Sequence, residues 1–193
     1  MLFITKGEEP EVLREYKRKY PNAKYSDASF AEFRQELNQV LRTEQKHLCA
    51  YCCGKIDAEN SHNEHIEPQN PKGGVSDRSL EYTNIVASCN GLGSGRNCGE
   101  HKKNEYDESR FVSPLNPNCE DIFSYYPNGT ISGDPYTIEL LNLNSYALKE
   151  ARAAVYKVIK NMSKEDICLI YDAQGEELQP FYNVVKWFLK ENL

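Results

Sequence analysis

Leu48-Cys49-Ala50-Tyr51-Cys52, Glu64-His65-Ile66-Glu67-Pro68, Asn84-Ile85-Val86-Ala87-Ser88-Cys89 and Cys98-Gly99-Glu100-His101-Lys102-Lys103-Asn104 follow one another along the chain. Cys49-x2-Cys52 and Cys89-x8-Cys98 are two thiol pairs on separate segments. Four such thiolates are the ligand set of a tetrahedral zinc site. Glu64-His65 lies between the pairs. It joins a hard oxygen donor to an imidazole that titrates near neutral pH, a combination suited to holding Mg²⁺ or Mn²⁺ and deprotonating a water. Together these features point to metal-dependent phosphodiester chemistry.

The rest of the chain works outward from that stretch. At 193 residues it predicts a single domain over 1–193. We divide it into a core of about 48–112, an N-terminal helical arm of about 1–47, and a C-terminal part of hairpin and helices over about 113–193. The opening Met1-Leu2-Phe3-Ile4-Thr5-Lys6 is too short for a membrane span or leader, and Gly7-Glu8-Glu9-Pro10 ends it. A cytoplasmic location is the expectation. Seven cysteines are an odd number for a disulfide framework, so the paired pattern reads as metal binding.

The net charge of −6 is unusual for a protein that handles nucleic acid, because phosphate binding rests on Lys and Arg contacts. Residues 51–90 carry Lys55, Lys72 and Arg78 against six acidic residues, and residues 91–112 balance four against four. Weak nucleic-acid affinity of the isolated chain follows as an expectation, and with it a partner that supplies grip.

Apolar spacing predicts a helix over 28–47, from Phe30, Phe33, Leu37, Val40 and Leu41, capped by Ser26 or Ser29 and running directly into the first thiol pair. Residues 53–61 read as a polar turn, 64–68 as a short strand, Gly73-Gly74 as a loop, and 80–88 as a second strand. Gly91-Leu92-Gly93-Ser94-Gly95 is a loop and not a phosphate cradle, since no Lys-Ser/Thr follows at the required spacing. A short helix follows Cys98. Downstream come a hairpin about Pro127-Asn128-Gly129, a helix over 145–160 with Leu148, Ala151, Val155, Val158 and Ile159 inward, and a helix over 180–191.

Cys-Ala-Tyr-Cys, Glu-His-Ile-x-Pro, Gly-Gly, Asn-Ile-Val-Ala-Ser-Cys and Cys-x3-Lys-x-Asn, in this order over 48–104, resemble the zinc-stapled HNH (ββα-metal) endonucleases. The flanks Glu9-Pro10, Glu44-Gln45, Phe111-x-Ser113-Pro114-Leu115 and Leu141-Asn142-Leu143-Asn144 are similar to the HNH subunit of Septu anti-phage systems, also found with certain retrons. The resemblance implies an α+β fold with a ββα-metal catalytic unit flanked by helices, and an ABC-type ATPase subunit as partner. One departure stands out. Six extra residues separate Cys89 from Cys98, and Gly99 replaces the Asn usual in the family.

Residue by residue, Cys49, Cys52, Cys89 and Cys98 are expected to hold structural Zn²⁺, with Cys53 as a possible substitute and Cys119 and Cys168 as ordinary cysteines. His65 is the expected general base and Asn84 fastens the loop behind it. Glu64 binds catalytic Mg²⁺ or Mn²⁺, with His101 as third HNH residue and Asn104 as its alternative. Lys102 is assigned a phosphate contact. His62 reads as a loop residue, and His47 has no role. The expected function is endonucleolytic cleavage, of DNA by preference, in anti-phage defence. Its rivals are a non-catalytic zinc-organised adaptor of the ATPase complex and a ribonuclease acting on tRNA.

Overall fold

A computed structural model describes residues 1–71, 74, 76–93, 96–171 and 177–192. The architecture is α+β, with two small antiparallel sheets set among helices. Gly73 of the expected Gly-Gly loop, and Ser94 and Gly95 of the glycine-rich loop, lie outside the described residues.

Helix α1 (Glu11–Lys19) buries Val12, Leu13 and Tyr16 on one face. Tyr16 packs edge-on against Phe30 at 4.6 Å between ring centres. Helix α2 (Ala31–Glu44) follows a 3-10 turn at Ala28–Phe30 and buries Leu37 and Leu41 completely. Each such leucine contributes about 1.5–3 kcal/mol by leaving water. Neither Ser26 nor Ser29 caps this helix. Ser29 Oγ instead lies 2.8 Å from the Tyr16 hydroxyl, which ties α1 to the start of α2. The helix also stops short of the thiols. Lys46 and His47 take positive φ (54° and 59°) and turn the chain out of the helical path.

The central sheet pairs β1 (Ser61–His65) with β2 (Ile85–Cys89) in the register Ser61↔Cys89, Asn63↔Ala87 and His65↔Ile85. The first strand therefore begins and ends three residues before the expected 64–68. Ser61-His62-Asn63 has no apolar alternation to announce a strand, and its pairing to the fully buried β2 makes it one. Alternation puts Asn63 and His65 on one face and His62 and Glu64 on the other. Asn63 reaches α2 by accepting from Asn38 Nδ2 at 3.0 Å. The opposite face meets the short α3 (Gly99–Lys102). The order strand, strand, helix is that of a ββα unit.

After α3 come α4 (Cys119–Ile122), a hairpin of β3 (Ser124–Tyr125) and β4 (Ile131–Ser132), α5 (Pro135–Leu140), α6 (Tyr146–Ile159), α7 (Lys164–Tyr171) and α8 (Tyr182–Asn192). Gly129 in the hairpin turn sits at φ 77°, and a β-carbon there would lie 1.8 Å from the Lys149 carbonyl oxygen, so glycine is required. On α6 Val158 is 55% exposed, contrary to the expected inward face, and Arg152 takes the core position. The helical period runs through Leu148, Arg152, Val155 and Ile159. The Arg152 guanidinium satisfies the carbonyls of Gly129 (2.7 Å) and Leu143 (2.6 Å). In α8, Val184, Val185 and Phe188 are buried in the core.

Candidate metal and catalytic site

Two chemically different centres lie at opposite ends of the central sheet. At the Cys89 end, Cys49, Cys52, Cys89 and Cys98 are buried, with all four sulfurs within 4.8 Å of one another. A tetrahedron with metal–sulfur arms of 2.3 Å has edges of about 3.8 Å, so this cluster fits a four-coordinate ion. Cys52 and Cys89 already stand 3.9 Å apart. Backbone N–H groups point at the sulfurs, Cys89 N to Cys49 Sγ at 3.3 Å and Gly54 N to Cys52 Sγ at 3.4 Å, as thiolates require. Burial opposes charge on Cys49, yet hydrogen bonds from Cys52, Cys89 and Cys98 outweigh it and hold this thiol well below the ordinary range. Burial pushes Cys98 well above it. The cluster thus favours the Cys49 thiolate and resists charge on Cys52 and Cys98 until a dication compensates them. Cys53 stands outside the cluster, its thiol pushed up to about 12 by burial.

Gln45 joins the first thiol pair to β2. Its Nε2 donates to the carbonyls of Leu48 (2.9 Å) and Ala87 (2.8 Å), while its Oε1 accepts from Ala87 N at 2.7 Å. The loop from Cys89 to Cys98 keeps both thiols in the cluster despite its added length.

At the other end, His65 is 5% exposed, edge-on to Tyr25 at 4.6 Å. Its Nε2 lies 2.9 Å from the Ser79 carbonyl oxygen. A carbonyl only accepts, so Nε2 carries the proton and Nδ1 the lone pair. Burial lowers the pKa of His65, with Ser79 and Glu64 working against the shift and Lys102 with it. Asn84 donates to the carbonyls of Glu67 (3.0 Å) and Arg78 (3.2 Å) and accepts from Glu67 N (2.8 Å), which ties together the segment that holds Ser79.

Glu64 is 9% exposed and keeps its charge. Burial works against the carboxylate, but His62 and Lys102 outweigh it and hold the pKa below the usual range. Lys102 differs from its expected role. It is 1% exposed, its Nζ stands 2.9 Å from Glu64 Oε1, and it donates to the His65 carbonyl oxygen at 3.0 Å. That inward geometry braces the two site residues and turns Lys102 away from the surface.

The expected partner on α3, His101, faces elsewhere. His101 Nδ1 donates to the Leu140 carbonyl at 3.0 Å, turning the ring toward α5. Asn104 is exposed beyond Lys103, whose φ of 51° ends the helix. The imidazole beside Glu64 is that of His62, its Nε2 3.4 Å from Glu64 Oε2. His62 lies in β1 and not in the expected loop. The signal that identifies it is His-x-Glu at strand period.

Fold and site together define a cysteine-stapled ββα unit, the arrangement of an HNH endonuclease. No family model matches the chain. It is 28% identical over 142 residues to the "Retron Vc95 putative HNH endonuclease" of Vibrio cholerae serotype O1 biovar El Tor, covering 66% of this chain and 67% of that protein. It is 26% identical over 210 aligned positions to the "Retron Ec83 putative HNH endonuclease" of Escherichia coli, covering 84% and 81%. The chain is thus similar to two retron proteins, each named a "putative HNH endonuclease". Among the described residues, no helix is long and apolar enough to cross a membrane.

Proposed function

We propose that this chain is the nuclease of an anti-phage defence complex, hydrolysing phosphodiester bonds of DNA by metal-dependent chemistry. The observation that carries this reading is His65, a buried neutral imidazole next to Glu64, whose proton is fixed on Nε2 by Ser79 so that Nδ1 is free to act as base. Nδ1 takes a proton from water as the water oxygen bonds to phosphorus. The bond from phosphorus to the 3′ oxygen breaks, and that oxygen is protonated from solvent. The Ser79 carbonyl stabilises the imidazolium that forms. Lys102 holds the His65 backbone and the Glu64 carboxylate in fixed relation. Mg²⁺ or Mn²⁺ held by Glu64 would supply charge stabilisation for the pentavalent phosphate and the leaving oxygen. Lys102 takes Glu64 Oε1, and the carboxylate keeps Oε2, on the Gly99 side, for such an ion. Zn²⁺ in the four-thiol cluster would keep the two strands and α3 in register.

The resemblance to the Septu HNH subunit implies an ABC-type ATPase subunit as partner, and the acidic balance of the chain fits a partner that brings nucleic acid to the site. One observation favours the adaptor reading instead, namely that Lys102 already compensates Glu64 without any metal. The test is cleavage of plasmid DNA and of total RNA with Mg²⁺ or Mn²⁺, by wild type and His65→Ala, with and without the co-encoded partner. Cleavage that needs metal and His65 supports the nuclease, and the polymer cut names the substrate. No cleavage in any lane, with the cysteine-bound metal retained, gives the adaptor.

A further inference from the structure

His62 is held in a way that a loop residue has no need of. Its Nδ1 lies 2.8 Å from Asn90 Oδ1. Asn90 is itself fixed, its Nδ2 donating to the Glu59 carbonyl at 3.4 Å and its backbone N to the Asn60 carbonyl at 2.8 Å. With Nδ2 committed to Glu59, the amide oxygen faces the ring and accepts the Nδ1 proton. The lone pair of His62 therefore sits on Nε2, which points at Glu64 Oε2 across 3.4 Å. Two acceptors facing each other at that distance, on side chains 28% and 11% exposed, call for a positive charge between them.

The space beside the pair is kept open. Gly99 opens α3 here, and a β-carbon on it would lie 2.6 Å from Glu64 Oε2 and 2.8 Å from His62 Nε2. Any side chain at this position would occupy the place where both ligand atoms point. Two cis ligands of an octahedral ion with arms of about 2.1 Å lie about 3.0 Å apart, so a small closing movement brings Nε2 and Oε2 onto one ion.

We propose that His62 Nε2 and Glu64 Oε2 are the two protein ligands of the divalent cation, with Asn90 fixing the tautomer of His62. The inference rests on the nuclease reading only for the role of that ion. It deepens that reading in one respect. Imidazole beside carboxylate shifts preference away from Mg²⁺, which takes oxygen, and toward transition dications. Mn²⁺ is expected to bind more tightly than Mg²⁺, with waters completing its shell.

A proton is the rival occupant. Burial opposes the imidazolium of His62, but Glu64 and Asn90 outweigh it and raise its pKa.

The test is Mn²⁺ binding to the full chain with its cysteine-bound metal in place, read by titration and by pulsed EPR for coupling to nitrogen. Wild type is expected to bind Mn²⁺ with an imidazole nitrogen in the coordination shell. His62→Gln should lose that coupling and weaken Mn²⁺ binding by more than about tenfold, while Asn90→Ala should keep the coupling and weaken binding by about tenfold. The chain has four histidines. Replacing His47, His65 and His101 one at a time, with the coupling preserved each time, assigns the nitrogen to His62 even if His62→Gln fails to fold. Coupling that survives in His62→Gln, or that vanishes in His101→Gln, would overturn the proposal and leave the nuclease reading intact. Wild type that cleaves with Mn²⁺ yet shows no nitrogen coupling would do the same. Failure of wild type to bind Mn²⁺ at millimolar concentration would overturn both and leave the proton as the occupant.

Discussion

The two ends of the central sheet solve opposite problems with similar distances. At one end four sulfurs converge in a buried site, with N–H···S bonds to Cys49 and Cys52. Toward the other, the Glu64 carboxylate on one side of β1, met by His62 from the position paired with Ser88, precedes the proposed base on the other side. The first centre is closed and soft, which suits an ion that holds structure. The second is hard, charged and partly open, which suits an ion that keeps waters and meets substrate. The contrast teaches that spacing along the chain is enough to find a structural site, whereas an active site depends on which face of a strand each residue takes.

Stripping metal should separate the ends most sharply. A strong chelator with reductant removes the ion from the thiol cluster, and the loss is expected to be on the order of 10 kcal/mol in small metal-organised units, enough to unfold the β1–β2–α3 region. Thermal unfolding followed by circular dichroism, with metal content measured alongside, checks this. Unchanged stability after complete metal loss would mean that the cluster is only a set of buried thiols.

His65→Ala should act at the other end alone. Cleavage is expected to fall by about 10²–10⁴-fold, the range for loss of a general base. The stability cost should be about 1–3 kcal/mol, since the Ser79 carbonyl loses its donor. Metal content of the cysteine cluster should not change. Loss of that metal in the variant would show that the two centres are one.

How much of this was legible in the sequence follows from the same contrast. The thiol pairs, the α+β order and helices α2, α6 and α8 could be read because spacing and apolar period carry them. Helix α1 went unread, with only Val12, Leu13 and Tyr16 apolar among charged residues, although Pro10-Glu11 at its start and Lys17-Arg18-Lys19 at its end match the helix dipole. Helix α5 also went unread, although Asp134-Pro135 is a start signal and Asp134 accepts from Thr137 N at 2.7 Å. The roles of His62 and Lys102 were not legible. Each depends on a neighbour about 40 residues away or across a strand face, Lys102 on His65 and Glu64, His62 on Asn90 and Glu64. Arg152 was missed on α6 because a buried arginine contradicts the apolar pattern until its carbonyl partners are known.

Gly99→Ala tests the open space from the inside. The added carbon would lie 2.6 Å from Glu64 Oε2, so the carboxylate or the start of α3 must move. Overpacking of this kind costs about 1–3 kcal/mol. Mn²⁺ affinity and cleavage should both drop while the cysteine-bound metal stays. Wild-type metal affinity in this variant would mean that Glu64 and His62 do not share an ion next to Gly99.

The smallest expected effect is a shift in pH dependence, and its sign is fixed by the surroundings of His65. Burial is the main influence and lowers its pKa, and a dication at Glu64 would push the same way. The free base therefore persists below the ordinary imidazole value of about 6.5, and the acid limb of the rate profile should lie below that pH. Stability carries the matching sign. As pH falls below about 6.5 the unfolded chain binds its proton first, so stability contributed by neutral His65 is present above that pH and is lost as pH falls through the folded value. Denaturant titrations from pH 7.5 to 5 on wild type and His65→Ala isolate this term, since the variant lacks the group and should show a shallower decline. Parallel declines would place the titrating group elsewhere, and an acid limb above 6.5 would mean that the working base is more exposed, or closer to Glu64, than His65 is in this fold.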